Sequence, residues 1–380
     1  MTIAQAQSEI RQEPDGARAV TLIDCDVHAQ ATEPMLAAHL GPWARAQLAH
    51  YGRRTPRITD WYPRARNGGM RVDAWPDKPG HIWGSDPEML RAQLLDEFDV
   101  DYAILEVLSG QDCYDHPDFA REWNHAINQW QLETWLEFDP RLRATIAVAH
   151  EYPELAVEEI SKRADDQRFV AVLLPGSASE PLGAPKYWPI YRAATECGRP
   201  VVVHTGGYVD HRGAGYPSFY LDYHVGNGIV TQGQLTSMVA GGLFEEVPGV
   251  RVVMTESGVA WAAALRWSLD AAWELMRADH PRLRRRPSEY IDEHVWFTTQ
   301  PIEEPEDPRH LLYAIEQAHL GDRLLFATDY PHWDFDSPKQ ALPRVIEGEL
   351  RHKLLCGNAL DLYGLPALRN SPATAGTGQA

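Results

Sequence analysis

The chain has 380 residues, with 35 Lys plus Arg against 54 Asp plus Glu, a formal net charge of −19. Hydrophobic residues make up 44%, an ordinary globular share that excludes a mainly disordered chain. The acidic balance argues against a general nucleic-acid binder, which needs a basic surface to neutralise phosphate.

No apolar run approaches the ~18 to 20 residues needed to cross a bilayer, so no membrane span is expected. The first 20 residues lack a basic stretch followed by an apolar core, so no signal peptide is expected. The four cysteines, Cys25, Cys113, Cys197 and Cys356, are far apart and form no CxxC. Neither a disulfide scaffold nor a cysteine zinc site is expected, and a cytoplasmic location is the natural reading.

Residues 1–18 are polar without periodicity, and residues 366–380 are small, polar and Pro/Gly-bearing. Both are expected to be loose tails flanking one domain over residues 19–365. Within it, eight short apolar runs recur: Val20–Asp26, Tyr102–Val107, Ala144–Val148, Phe169–Leu174, Pro200–His204, Val250–Glu256, Val295–Thr299 and Arg323–Asp329. They are nearly continuous in apolar character rather than alternating, as in strands buried on both faces of a parallel sheet. Helical segments are expected at Pro87–Phe98, Phe119–Glu137, Tyr152–Ala164, Trp188–Cys197 and Ala260–Arg277. Strands alternating with helices predict an α/β fold of the (β/α)₈ TIM-barrel kind. The competing open doubly wound sheet lacks support, because no GxGxxG follows an early strand.

The stretch 41–85, rich in Arg, Pro, Gly and Trp, fits neither helix nor strand. Inserts after a barrel strand lie on the catalytic face, so it reads as a cap insertion over the site mouth. Between Gly41 and Arg71 it carries seven arginines and a single acid, Asp60. Arginine recognises carboxylates bidentately and stacks on aromatic rings. The insert is thus either a mouth that attracts a carboxylate substrate or a basic loop pairing with an acidic body or a second subunit. A homodimer is the expected assembly.

The first run ends Asp24-Cys25-Asp26-Val27-His28. Residues two apart on a strand point to one side, so Asp26 and His28 project together, as a pair of metal ligands needs. His204, Glu256 and Asp329 close three further runs. Charged groups are almost never buried without a partner or a metal. Four strands ending this way at the catalytic rim favour a metal over separate structural roles.

DxDxH at residues 24–28, HTGG at 204–207, ESG at 256–258, TDYPH at 328–332 and GNALDLYG at 357–364 together resemble the amidohydrolase-related family. That family includes aminocarboxymuconate-semialdehyde decarboxylase and several aromatic-acid decarboxylases. The resemblance covers residues 22–365 and implies a distorted (β/α)₈ barrel. It also implies one divalent ion, Zn²⁺ or Mn²⁺, on Asp26, His28, His204 and Asp329. Two-metal relatives use a carboxylated Lys at the fourth strand, where this chain has Leu173-Leu174-Pro175. The chain departs from the decarboxylase pattern at Glu256, where a His is usual. Glu256 is a candidate base, acid or orienter of His204.

The candidate catalytic residues are therefore Asp329, Glu256 and His332, the last a rim residue or a loop histidine capping a turn. Substrate contacts are expected from Arg53 and Trp61 in the insert, His224 in the loop after the fifth run, and Trp261. Asn358 is expected to fix the start of the C-terminal helix. The expected activity is metal-dependent decarboxylation of a small aromatic or unsaturated carboxylic acid, with hydrolysis of an amide, lactone or C–C bond as the alternative.

Overall fold

The computed structural model describes residues 17–18, 21–52, 69–111, 116–207, 217–366 and 368–369. Eight parallel strands follow one another in chain order around a single sheet. They are β1 (Ile23–Val27), β2 (Tyr102–Leu105), β3 (Leu142–Ala147), β4 (Phe169–Ser177), β5 (Val201–Gly207), β6 (Val252–Thr255), β7 (Val295–Thr298) and β8 (Leu324–Leu325). The chain after β8 continues along β1 and closes the ring. Cys25 N donates to Phe326 O at 2.9 Å, Asp329 N to Asp26 O at 3.1 Å and His28 N to Tyr330 O at 2.7 Å. The expected (β/α)₈ barrel is therefore present, and each apolar run overlaps one of its strands.

The outer helices include Pro117–Trp130, Pro153–Arg163, Trp188–Glu196, Asn227–Gly241, Trp261–Met276, Pro287–His294 and Arg309–Gln317. Several begin on a proline, whose fixed φ suits the first turn and whose missing N–H is no loss there. Among the described residues no helix is long and apolar enough to cross a membrane. Ala17–Arg18 pairs antiparallel with Leu368–Arg369, which joins the two ends of the chain.

Strand parity sorts the barrel interior. Ile23, Cys25, Tyr102, Ile104, Val202 and Leu325 share one interior cluster with Leu362 and Tyr363 of the helix Asn358–Tyr363. These residues come from the early parts of their strands, so that helix plugs the N-terminal end and leaves the C-terminal rim for chemistry. The register of β1 against β2 slips between Asp24 and Val27. This bulge switches the parity, so that Asp26 and His28 face the interior after Ile23 and Cys25.

One expectation is corrected. Pro42–Tyr51 is a helix that buries Ala44 and Leu48, within a segment read as irregular. Its apolar stripe is only two residues wide and is hidden among Arg and Trp. Asn358 is the first residue of the last helix, and its Nδ2 donates to Gly321 O at 3.1 Å and Leu324 O at 2.8 Å, which fixes the start of that helix against β8. Asn358→Ala removes the donor from two buried carbonyls and is expected to lower stability by about 1–3 kcal/mol in chemical unfolding. Loss below 0.5 kcal/mol would show that the helix is held by packing alone.

Candidate metal centre

Asp26, His28, His204, Glu256 and Asp329 meet at the C-terminal rim and are buried or nearly so. The two histidines are oriented by the backbone. Nδ1 of His28 lies 3.1 Å from Glu106 O, and Nδ1 of His204 lies 2.8 Å from Thr205 O. A carbonyl only accepts, so Nδ1 carries the hydrogen in both rings and Nε2 is the atom offered to the site.

Nε2 of His28 lies 2.7 Å from Asp329 Oδ1 and 3.3 Å from Asp26 Oδ1. Nε2 of His204 lies 3.0 Å from Glu256 Oε2 and 3.8 Å from Asp26 Oδ2. A lone pair and a carboxylate at these distances repel unless they share a proton or a metal cation. Burial works against charged His204, but the Glu256 carboxylate outweighs it and pushes the imidazole up to about 9. Burial holds His28 below its ordinary value, so its Nε2 keeps the lone pair that a metal needs.

Ligand atoms within 4.8 Å of one another form two overlapping groups, Asp26–His28–His204–Glu256 and His28–Glu256–Asp329–His332. Glu256 thus belongs to both. Asp329, expected beside Asp26 and His204, is grouped with His28 and His332. Imidazole nitrogens mixed with carboxylate oxygens suit Zn²⁺ or Mn²⁺, with each added carboxylate favouring the harder ion.

Local backbone geometry aims the acids. Glu256 and Asp329 have φ of 54° and 59°, a left-handed conformation that costs an ordinary side chain energy. Glu256 follows β6 directly, and Asp329 lies four residues beyond the end of β8. At β6 the kink turns Glu256 inward where strict alternation from Val253 would select Thr255. Thr298 Oγ1 accepts from Glu256 N at 3.1 Å, and Asn227 Nδ2 donates to Glu256 Oε1 at 3.0 Å. His332 Nδ1 pairs with Asp329 Oδ1, and the His332 ring stands 4.5 Å from that of His28.

The chamber is strongly acidic. Burial and the charges of Glu106 and Asp329 drive Asp26 well above the carboxylate range. Burial likewise pushes Glu106 up to about 8 and, against hydrogen bonds from Thr328, Asp24 up to about 7. Burial also acts to raise Asp329, but His332 and His28 hold it below the usual range. A divalent cation would offset this concentration of negative charge.

Three neighbours of the centre went unremarked in the sequence. Glu106 follows β2 with the inward parity of Tyr102 and Ile104, a signal the pattern YAILE already carried. Asp24 accepts from Thr328 N at 2.9 Å and Thr328 Oγ1 at 2.5 Å, which locks β1 to the strand bearing Asp329. Asp334 accepts from Gln300 Nε2 at 2.9 Å and lies 3.4 Å from His224 Nε2.

His224 and Trp261 line one cavity of about 300 Å³ with Asn227, Ser257, Ile229 and Pro301. Asn227 connects it to Glu256. Gly228 sits so close to Ser257 O that a Cβ there would approach it to 2.9 Å. Arg53 and Trp61 lie outside the described residues. Of the insert's arginines, Arg45 donates to Leu40 O and Arg71 to Asp73. The far end of the insert reaches the rim: Arg71 N donates to Pro331 O and Trp333 N to Gly69 O, both at 2.9 Å. Trp83 packs 6.1 Å from the His332 ring.

A model of the amidohydrolase family matches residues 23–365. The chain belongs to that family, as its barrel and rim histidines and carboxylates had indicated. Gamma-resorcylate decarboxylase of Rhodococcus jostii (strain RHA1) is 25% identical over 276 residues, covering 67% of this chain and 82% of the relative. The crystal structure of an amidohydrolase from Mycobacterium avium subsp. paratuberculosis K-10 superposes with a TM-score of 0.68 at 21% identity, covering 92% and 100% of the two chains. Dihydroxybenzoic acid decarboxylase from Polaromonas sp. JS666, solved with manganese and the inhibitor 2-nitroresorcinol, superposes with a TM-score of 0.61 at 20% identity, covering 91% and 98%.

His204→Ala removes one of the two backbone-oriented imidazoles. Elemental analysis after dialysis is expected to find about one divalent ion per wild-type chain and a large loss in the variant. Full retention by the variant would place the metal elsewhere.

Proposed function

We propose that the chain is a metal-dependent decarboxylase acting on a small aromatic or unsaturated carboxylic acid. The observation that carries this reading is the pair of imidazole Nε2 atoms held among three buried carboxylates. The gamma-resorcylate decarboxylase relative supports the reaction type. One ion, Zn²⁺ or Mn²⁺, would be held by Asp26, His28, His204 and Asp329, with Glu256 against His204. When bound, it supplies Lewis-acid polarisation of a substrate oxygen.

The chain's own groups do the rest. Asp329 and His332 share a proton at Oδ1 and Nδ1, in position to replace the departing CO₂ on carbon. In that step the C–CO₂⁻ bond breaks, its electron pair stays on carbon, and one proton is taken up there. Trp261 and His224 offer the cavity beside Glu256 for the apolar body of the substrate. Arg53 and Trp61 are assigned to its carboxylate end.

Glu256 favours a second reading, hydrolysis of an amide, lactone or C–C bond. A carboxylate there opposes a substrate carboxylate by about 4 kcal/mol at 4 Å and an effective dielectric of 20. Incubation with hydroxylated aromatic acids, lactones and amides separates the two. Released CO₂ without solvent oxygen in the product supports the lyase; incorporation of ¹⁸O from labelled water without CO₂ would replace it by the hydrolase.

We further infer a cytoplasmic homodimer. Support comes from the free Cys25, Cys197 and Cys356 and from exposed Trp267 and Leu275 on the helix Trp261–Met276.

Glu256→Gln keeps the shape of the side chain and removes its charge. With Glu256 as a catalytic group, metal content is expected to persist while kcat falls by roughly 10²-fold or more. An unchanged kcat and pH profile would reduce it to an orienter of His204.

A further inference from the structure

Glu106 is fully buried, and neither of its carboxylate oxygens has a hydrogen-bond partner among the described residues. Buried carboxylates normally accept hydrogen bonds, pair with a cation or face a metal. Its position leaves one direction open. Tyr102 and Ile104 point into the barrel interior, and alternation sends Glu106 the same way, one layer nearer the rim. There its neighbours in charge are His204, Glu256 and Asp329. The Glu106 charge also acts on Asp26, helping to raise it. Its main-chain oxygen receives Nδ1 of His28, so the residue is fixed to the centre at its backbone. Its oxygens belong to neither of the close ligand groups, so it stands behind the ligands and is not one of them.

We infer that Glu106 is a positioning residue of the metal centre, whose carboxylate raises the affinity for a divalent cation and biases the site toward Mn²⁺ over Zn²⁺. The inference rests on the metal site proposed above. Two physical effects produce it. An anion held in a low-dielectric chamber attracts a cation through the ligand layer. A buried carboxylate with no hydrogen-bond donor among the described residues is also held as an anion more readily when that cation is present. Zn²⁺ draws much of its binding from nitrogen donors, whereas Mn²⁺ depends more on hard, anionic oxygen. The added charge therefore favours Mn²⁺ more.

The test uses chelator-stripped full-length protein titrated with Mn²⁺, free Mn²⁺ being read by electron paramagnetic resonance. Competition with Zn²⁺ gives the preference, and metal-induced shifts in Tm give a second readout. The wild type, Glu106→Gln, Glu106→Asp and His204→Ala are compared. Glu106→Gln is expected to weaken Mn²⁺ binding by roughly 10- to 100-fold, the range for residues that support metal ligands. The Mn²⁺-to-Zn²⁺ affinity ratio and the Mn²⁺-induced rise in Tm should fall with it, and Glu106→Asp should recover part of each.

Glu106→Gln that binds Mn²⁺ within twofold of the wild type, while His204→Ala does not bind, would overturn the role of Glu106 and leave the metal site standing. If Glu106→Gln fails to fold, Glu106→Asp decides: an affinity equal to wild type after this shortening overturns the proposal, and an intermediate loss sustains it. Failure of the wild type to bind either ion would remove the metal site and this inference together.

Discussion

Everything at the catalytic rim depends on closing the ring between β1 and the chain after β8. Asp24 and Thr328 are 304 residues apart, yet the Asp24 carboxylate accepts two hydrogen bonds from Thr328 in the buried wall. His28 N donates to Tyr330 O and Asp329 N to Asp26 O across the same seam. These bonds put one histidine and two carboxylates from opposite ends of the chain into one chamber. Without the seam, Asp26 and Asp329 would be separate acids, each free to find water. With it, they are forced into mutual repulsion that a shared cation relieves.

The backbone beside that chamber is unusual. A left-handed glutamate and a left-handed aspartate would ordinarily relax to β or α geometry. Here each is held by neighbours: Thr298 takes the N–H of Glu256, and Asp26 takes the N–H of Asp329. The strain is local and the anchors are strands, so the side chains keep their aim. A cluster carried by loops alone would spread its charges apart.

The surroundings of the centre divide into two sides. On one, Trp83 and residues 69–71 of the insert pack on the segment that follows Asp329. Gly84 makes that approach possible, because a Cβ there would come within 2.8 Å of His28 O and its φ is +64°. On the other, Asn227, Ser257 and Trp261 wall the cavity next to Glu256. The helix Tyr220–Val225 is tied across to the β8 loop, with Trp333 Nε1 donating to Tyr220 OH at 2.8 Å.

The barrel itself was legible in the sequence because strands buried on both faces must be apolar throughout, and eight such runs alternate with helices. The polar residues closing four of the runs marked Asp26, His204, Glu256 and Asp329 by the same logic, with His28 two places beyond Asp26 on the same side. Glu106 stands inside its run, which continues apolar to Val107, so the rule does not mark it. The helix Pro42–Tyr51 was hidden because a short element packing two residues leaves almost no periodic trace. Other features had no local signature at all. Alternation along VVMTE points Thr255 inward, and only the turn at Glu256 reverses it. Which carboxylate joins which histidine depends on the β1 bulge and on the seam to β8. The sequence by itself determined which residues carry charge to the rim, since burial cost restricts where such groups stand. Tertiary structure alone decided their partners, because those distances are set by strands far apart in the chain.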